Sequence, residues 1–241
     1  MGGSSVRRGQ DVVFAPRPVS PPDAVRVSRA PYRLVAFDFD GTLADTFPWF
    51  GSVLNGVADR YRFRRVETHE VERLRALSAR AILADLGIPA WKVPLIARHM
   101  RALAARDAAG IALFAGVPEM LDGLASAGIG LAVVSSNGEA TVRRALGDSG
   151  SRIRHYACGA ALFGKARHLR AVARAAGVSP DAMLAVGDEL RDAEAAASAG
   201  CAFGAVAWGY TNRAALEAKA PAHLFGEPGE IVRAFEDACA Y

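Results

Sequence analysis

Leu34-Val35-Ala36-Phe37-Asp38-Phe39-Asp40-Gly41-Thr42 is the stretch that decides how this chain folds. Its first four residues form a short, continuous apolar run, which fits a strand buried on both faces of a parallel sheet. The run stops at two carboxylates separated by one residue. Outward from it, from Gly116 to the C-terminus, predicted helices and strands alternate. Pro118 to Ala127 is a helix ended by Gly128, and Gly130 to Val134 is a strand. Arg167 to Ala176 is a helix ended by Gly177, and Met183 to Val186 is a strand. Asp192 to Ala199 is a helix ended by Gly200, and Ala202 to Ala207 is a strand. Apolar strands alternating with glycine-stopped helices mean βαβ units. Right-handed crossovers turn such units into a doubly wound, Rossmann-like α/β sheet, whose sites lie beyond the carboxyl ends of its strands.

Residues 47–112 have a different texture. Phe50, Val53, Leu54, Val57, Ala58 and Tyr61 recur at helical spacing, with Ser52, Asn55, Asp59 and Arg62 opposite. Ser78 is placed to cap a helix that Gly87 stops, and Pro94 suits a helix's first turn. This stretch shows no strand signal and is expected to be a small α-helical cap inserted into the α/β domain, which then comprises 32–46 and 113–241. Residues 1–31, rich in Gly, Ser, Pro and Arg, are expected to be a disordered basic tail.

Composition narrows the function classes. The net charge is +4, and the tail's Arg7, Arg8, Arg17, Arg26 and Arg29 against Asp11 and Asp23 account for five minus two, or three, of it. The remainder is nearly neutral, so nucleic acid is not an expected partner. No apolar run approaches the roughly 18 residues of a membrane span. Cys158, Cys201 and Cys239 form no CxxC or Cys/His cluster, as in a reducing compartment, and the chain is expected to be cytoplasmic.

Polar residues collect where the strand-end rule demands them. The first strand runs into Asp38 and Asp40, and the second into Ser135, Ser136 and Asn137. A later one runs into Gly187, Asp188 and Glu189, with Asp192 one turn on, and Lys165 precedes the helix between the last two. Carboxylates gathered at one edge repel one another unless a cation neutralises them. Oxygen ligands without His or Cys point to Mg²⁺ rather than zinc. Each part has a place in phosphoryl transfer. Asp38 can attack and form an aspartyl-phosphate, and Asp40 can protonate the leaving oxygen and then activate water. Ser135 and neighbouring amides can hold phosphate oxygens, Lys165 can balance their charge, and Asp188 can complete the metal site.

The set resembles the haloacid dehalogenase superfamily, in its phosphoglycolate-phosphatase-like branch with a helical C1-type cap. Asp38-Phe39-Asp40-Gly41-Thr42 matches the first motif, Ser135 the second, Lys165 the third and Gly187-Asp188-Glu189-Leu190-Arg191-Asp192 the fourth. The resemblance implies Asp38 as nucleophile and Asp40 as acid/base. It implies Mg²⁺ on Asp38, the Asp40 main-chain carbonyl and Asp188, with Glu189 and Asp192 in support. Gly41, Thr42, Ser135, Ser136 and Lys165 are the expected phosphate-binding residues. Ala166 stands where members of this type often carry proline. Dehalogenases of this type lack the second aspartate, so Asp40 favours hydrolysis of phosphate esters.

Other motifs fall away. Asp38 could open a calcium loop, but the twelfth position is Trp49 instead of glutamate. Gly159 to Lys165 is P-loop-like, but Ala166 replaces the hydroxyl residue that binds Mg²⁺. Gly147-Asp148-Ser149-Gly150 is expected to be a turn, and Trp208-Gly209-Tyr210 to be packing. The five histidines lack ligand spacing. The expected function is Mg²⁺-dependent hydrolysis of a small phosphorylated metabolite by a monomer or homodimer without a membrane partner. A phosphomutase and a catalytically silent binding protein of the same fold are the alternatives.

Overall fold

The computed structural model describes, besides Met1, residues 32–159 and 164–239. The tail expected over residues 1–31 therefore lies, Met1 apart, outside the described residues. Six strands form one parallel sheet in the order β3-β2-β1-β4-β5-β6. They are β1 (Leu34–Phe37), β2 (Gly130–Val134), β3 (His155–Ala157), β4 (Met183–Gly187), β5 (Ala202–Val206) and β6 (His223–Phe225). The order reverses beside β1, whose neighbours are β2 and β4, in the registers Phe37↔Val133 and Phe37↔Val186.

The buried apolar run of β1 works as its composition predicts, with all four residues buried. Because side chains alternate across a strand, Val35 and Phe37 enter one core and Leu34 and Ala36 the other. The first core is closed by α5 (Val117–Ser126), α6 (Glu139–Leu146) and α10 (Pro228–Cys239), through Met120, Leu121, Leu124, Val142, Leu146, Ile231 and Phe235. The second is closed by α7 (Lys165–Ala175), α8 (Leu190–Ala199) and α9 (Arg213–Glu217), through Leu169, Val172, Ala196 and Leu216. Each large apolar side chain so buried contributes about 1.5–3 kcal/mol.

Between β1 and α5 the chain is helical, as expected. It forms α1 (Phe47–Tyr61), α2 (Val71–Arg75), α3 (Ala79–Asp85) and α4 (Val93–Asp107). Ser78 caps α3 by accepting from the Ala81 N–H, and Pro94 sits in the first turn of α4. The buried apolar side chains of residues 47–112, Val57, Ala58, Leu74, Leu86, Ala104, Ala108 and Ile111, are few beside those of the sheet. Ion pairs supplement them: Arg64 pairs with Glu70 and Asp85, and Arg73 pairs with the same two carboxylates. Asn55, expected on the solvent side of α1, is half-buried. It clasps Val66 by donating to its carbonyl at 3.0 Å and accepting from its N–H at 2.9 Å.

Two helix starts differ from expectation. Lys165, expected before its helix, is the first residue of α7. The helix expected from Asp192, α8, begins at Leu190, so Asp192 lies inside its first turn, where Glu189 and Asp192 cap each other's backbone N–H.

Candidate active site

The carboxyl ends of β1, β2 and β4 converge where the strand order reverses. Asp38 follows β1, its N–H donating to the Val186 carbonyl at 2.8 Å, and Asp188 follows the adjacent β4. One carboxylate oxygen each from Asp38, Asp188 and Asp192 lie within 4.8 Å of one another, the only such cluster of possible metal ligands among the described residues. At an effective dielectric of about 20, two like charges at that separation repel by roughly 3–4 kcal/mol.

Each carboxylate is held differently. Asp38 Oδ1 accepts from the Phe39 N–H at 2.7 Å. Its Oδ2 is buried and ion-paired with Lys165 Nζ at 2.7 Å, and the same ammonium donates to Asp192 Oδ1 at 2.5 Å, so the lysine joins the two carboxylates and Oδ2 accepts no other hydrogen bond. Asp188 accepts the Thr42 hydroxyl on Oδ1 at 2.8 Å and the Tyr210 N–H on Oδ2 at 2.7 Å. Asp192 Oδ2 accepts the Glu189 N–H at 3.0 Å. Glu189 stands outside the cluster and pairs with Arg191.

Asp40 stands apart from these three. Both its oxygens accept from Asn137 Nδ2, at 3.0 and 2.8 Å. Asn137 belongs to the loop after β2, and its N–H donates to Ser135 Oγ at 3.0 Å. Its carbonyl accepts the Gly159 N–H at 2.7 Å. Asn137 is the clamp on Asp40. Ser135 is fully buried and Ser136 half-buried beside it.

Electrostatics follow from this crowding. Burial raises the Asp38 carboxyl above its ordinary range, with the Lys165 ammonium pulling it back. Burial also raises Asp40, against Arg191 and the Thr46 hydroxyl. Asp188 is raised well above a normal aspartate by burial, reinforced by Glu189, Asp192 and Asp38. Burial alone would lower Lys165, but Asp192 and Asp38 together outweigh it and the ammonium is held. Fully ionised, Asp38, Asp40, Asp188, Glu189 and Asp192 against Lys165 and Arg191 make five minus two, or three, uncompensated negative charges. Three clustered carboxylates, oxygen-only donors and that charge deficit all fit a hard divalent cation.

The structure extends the sequence reading in one place and redirects it in another. Trp208-Gly209-Tyr210, expected to be packing, does pack, with Trp208 against the core and Tyr210 against Phe47 and Phe50, and it also touches the carboxylate cluster. Trp208 Nε1 donates to the Thr42 carbonyl at 3.1 Å, and the Tyr210 N–H holds Asp188. A Cβ on Gly209 would stand 2.3 Å from Asp188 Cβ and 2.4 Å from the Gly41 carbonyl oxygen. Gly41 is needed twice over: its φ is +70°, and a Cβ there would meet Asp188 Oδ2 at 2.3 Å. Thr42, expected to bind phosphate, directs its hydroxyl to Asp188. Phe47 and Phe50 pack on the Tyr210 ring at 5.0 and 5.7 Å, whereas Trp49 donates from Nε1 to Asp107 at 3.0 Å. Gly147–Arg152 is a 3-10 turn, and Cys158 and Cys201 are free thiols raised to about 11 by burial. A cleft of about 390 Å³ opens among the strand starts, lined by Tyr32, Arg33, Gly130, Arg154 and His155, at the opposite edge of the sheet from the carboxylates.

Comparison with known proteins gives consistent matches. Residues 35–206 match the model of the family described as haloacid dehalogenase-like hydrolase. A phosphoglycolate phosphatase of Synechococcus elongatus is 30% identical over 202 residues, covering 83% of this chain and 95% of that protein. One of Caulobacter vibrioides is 33% identical over 192 residues, covering 74% and 80%. Among solved structures, a haloacid dehalogenase-like hydrolase of Streptococcus pneumoniae superposes with a TM-score of 0.71 at 16% identity. It covers 85% of this chain and 99% of its own. At that identity the likeness speaks for the fold alone.

Proposed function

The chain belongs to the haloacid dehalogenase-like hydrolase family and is a phosphatase, and we propose that it hydrolyses a small phosphorylated metabolite with Mg²⁺ through a phosphorylated Asp38. The observation that carries this reading is Asp38 Oδ2, a buried carboxylate oxygen whose partner is the Lys165 ammonium at 2.7 Å, in a cluster with Asp188 and Asp192. The ammonium holds that oxygen in place, and no backbone group competes for the lone pair a nucleophile needs.

In this reading Asp38 Oδ2 bonds to phosphorus as the ester P–O bond breaks. Asp40 gives its proton to the departing oxygen. Burial favours the protonated carboxyl it needs at that moment. Asp40, now ionised, takes a proton from water as the water oxygen attacks phosphorus. The Asp38–phosphorus bond breaks, inorganic phosphate leaves, and both aspartates return to their starting states. Lys165 offsets negative charge on the nucleophile and the phosphoryl oxygens. In this reading the Ser135 hydroxyl and the Ser136 N–H would receive those oxygens. Asp38, the Asp40 carbonyl, Asp188 and Asp192 would hold the cation, which screens the phosphate from the carboxylates and polarises the phosphoryl group when bound.

Residues 47–112 act as a cap that closes over the strand ends and keeps bulk water out, which suits a small substrate. The names of the curated relatives make 2-phosphoglycolate the first compound to try. No helix among the described residues is long and apolar enough to cross a membrane. The free thiols of Cys158 and Cys201 suit a reducing compartment, and a cytoplasmic location is part of this reading. The reading includes neither a nucleic-acid nor a membrane partner. The test is a phosphorylated-metabolite panel with and without Mg²⁺, run beside Asp38→Asn. Turnover that needs Mg²⁺ and is lost in Asp38→Asn supports the proposal; turnover retained by Asp38→Asn removes the nucleophile.

A further inference from the structure

Three hydrogen bonds tie one residue of the helical insertion to the loop after β5. Arg75, the last residue of α2, donates from Nε to the Tyr210 carbonyl at 2.9 Å and from Nη2 to the Gly209 carbonyl at 3.0 Å. Its own carbonyl accepts the Asn212 N–H at 3.1 Å. The half-buried guanidinium also lies 5.4 Å from the centre of the Phe47 ring, where a cation over an aromatic face is favoured. A planar fork is suited to two successive carbonyls in a way that a lysine ammonium is not.

The other side of this loop rests on Asp188. The Tyr210 N–H donates to Asp188 Oδ2 at 2.7 Å, and the Thr211 N–H to the Asp188 carbonyl at 3.3 Å. At Gly209 even a single added carbon would overlap Asp188. Gly209–Tyr210 is thus held between a guanidinium from the insertion and a carboxylate of the cluster. A shift of the loop on one side must be felt on the other. Tyr210 reaches further: its hydroxyl is 2.9 Å from Thr46 Oγ1, at the start of the insertion.

We propose that Arg75 is a positioning residue: it presses the Gly209–Tyr210 segment against Asp188, and so makes seating of the helical insertion a condition of the carboxylate cluster's cation-binding geometry. The inference rests on the reading of that cluster as a divalent-cation site. Linkage makes the coupling reciprocal, so a cation bound at the cluster favours the seated insertion. Residues that orient a ligand without touching the metal typically change metal affinity about 10–100-fold when removed.

The experiment measures Mn²⁺ binding to the metal-free protein by electron paramagnetic resonance, with no substrate present. Arg75→Met, Arg75→Lys and Arg73→Met are compared with the unsubstituted chain. Arg73 lies on the same helix but pairs with Glu70 and Asp85, so it reports loss of insertion stability alone. The expected result is Mn²⁺ affinity weakened about 10–100-fold in Arg75→Met, partly recovered in Arg75→Lys and unchanged in Arg73→Met. Affinity unchanged in Arg75→Met, or equally weakened in Arg73→Met, overturns the inference. Should Arg75→Met not fold, Arg75→Lys decides: affinity equal to that of the unsubstituted chain overturns it. If the unsubstituted chain binds no Mn²⁺, the cation-site reading falls and this inference with it. If that chain binds and the Arg75 variants bind equally well, only this inference falls.

Discussion

Asn137→Ala removes the clamp on Asp40 and leaves the rest of the site in place. The side chain gives Asp40 two hydrogen bonds, at 3.0 and 2.8 Å, while its backbone bonds to Ser135 Oγ and Gly159 survive the substitution. Hydrogen bonds to a charged group are worth about 1.5–3 kcal/mol net. If that energy serves to aim Asp40 in the transition state, kcat falls roughly 10–150-fold, at a factor of ten per about 1.4 kcal/mol. KM should move little, because Asn137 acts through Asp40. Asn137→Asp goes further. It sets two carboxylates about 3 Å apart, a repulsion on the order of 5 kcal/mol at an effective dielectric of about 20. The assay is steady-state hydrolysis of an alkyl phosphate, whose poor leaving group needs the proton that Asp40 supplies. p-Nitrophenyl phosphate serves as the comparison, since its leaving group departs readily unprotonated, and the loss should be smaller there. A kcat for Asn137→Ala within twofold of the parent, or equal losses on both substrates, refutes the reasoning.

Two further outcomes follow from packing and from charge. Gly209→Ala forces a methyl against Asp188 Cβ and the Gly41 carbonyl. Overpacking of this kind costs about 1–3 kcal/mol, or some 2–4 °C of melting temperature per kcal/mol in a chain of this size; an unshifted melting curve contradicts the geometry. The Arg64–Glu70–Asp85–Arg73 network is sensitive to acid. Glu70 is held down to about 2 chiefly by Arg64, and Asp85 to about 2 chiefly by Arg73. Both folded values lie below the unfolded ones of 4.5 and 3.8, so the stabilisation is fully present above about pH 4.5 and fades as pH falls through about 2. Amide-exchange protection of α2 and α3 should drop over that window, and Glu70→Gln should flatten the drop. Protection independent of pH in both chains contradicts it.

What could be read from the residues, and what could not, has a physical pattern. β1 is legible as a buried apolar run ending in two carboxylates, and β2, β4 and β5 as apolar runs that each follow a helix ended by a glycine. β3 and β6 are not, being three residues long, at the two sheet edges and only partly buried. Lys165 opens α7 although the helix dipole disfavours a cation in a first turn. Its ion pairs with Asp38 and Asp192 outweigh that preference. Asp38, Asp40 and Asp188 stood out as carboxylates at strand ends. Their supports did not, because the Tyr210 N–H is a backbone group and Gly209 acts through an absent side chain. The available signal was a glycine between two aromatics directly after a strand. Asn137 was visible as a polar residue at a strand end, but its partner lies 97 residues away.

The most direct test of the account is mass spectrometry of the protein acid-quenched during turnover of a phosphorylated substrate with Mg²⁺. The account predicts one added phosphoryl group, located to Asp38 in the peptide containing Asp38-Phe39-Asp40, and absent from Asp38→Asn. A phosphoryl group on any other residue, or the same adduct in Asp38→Asn, would contradict it.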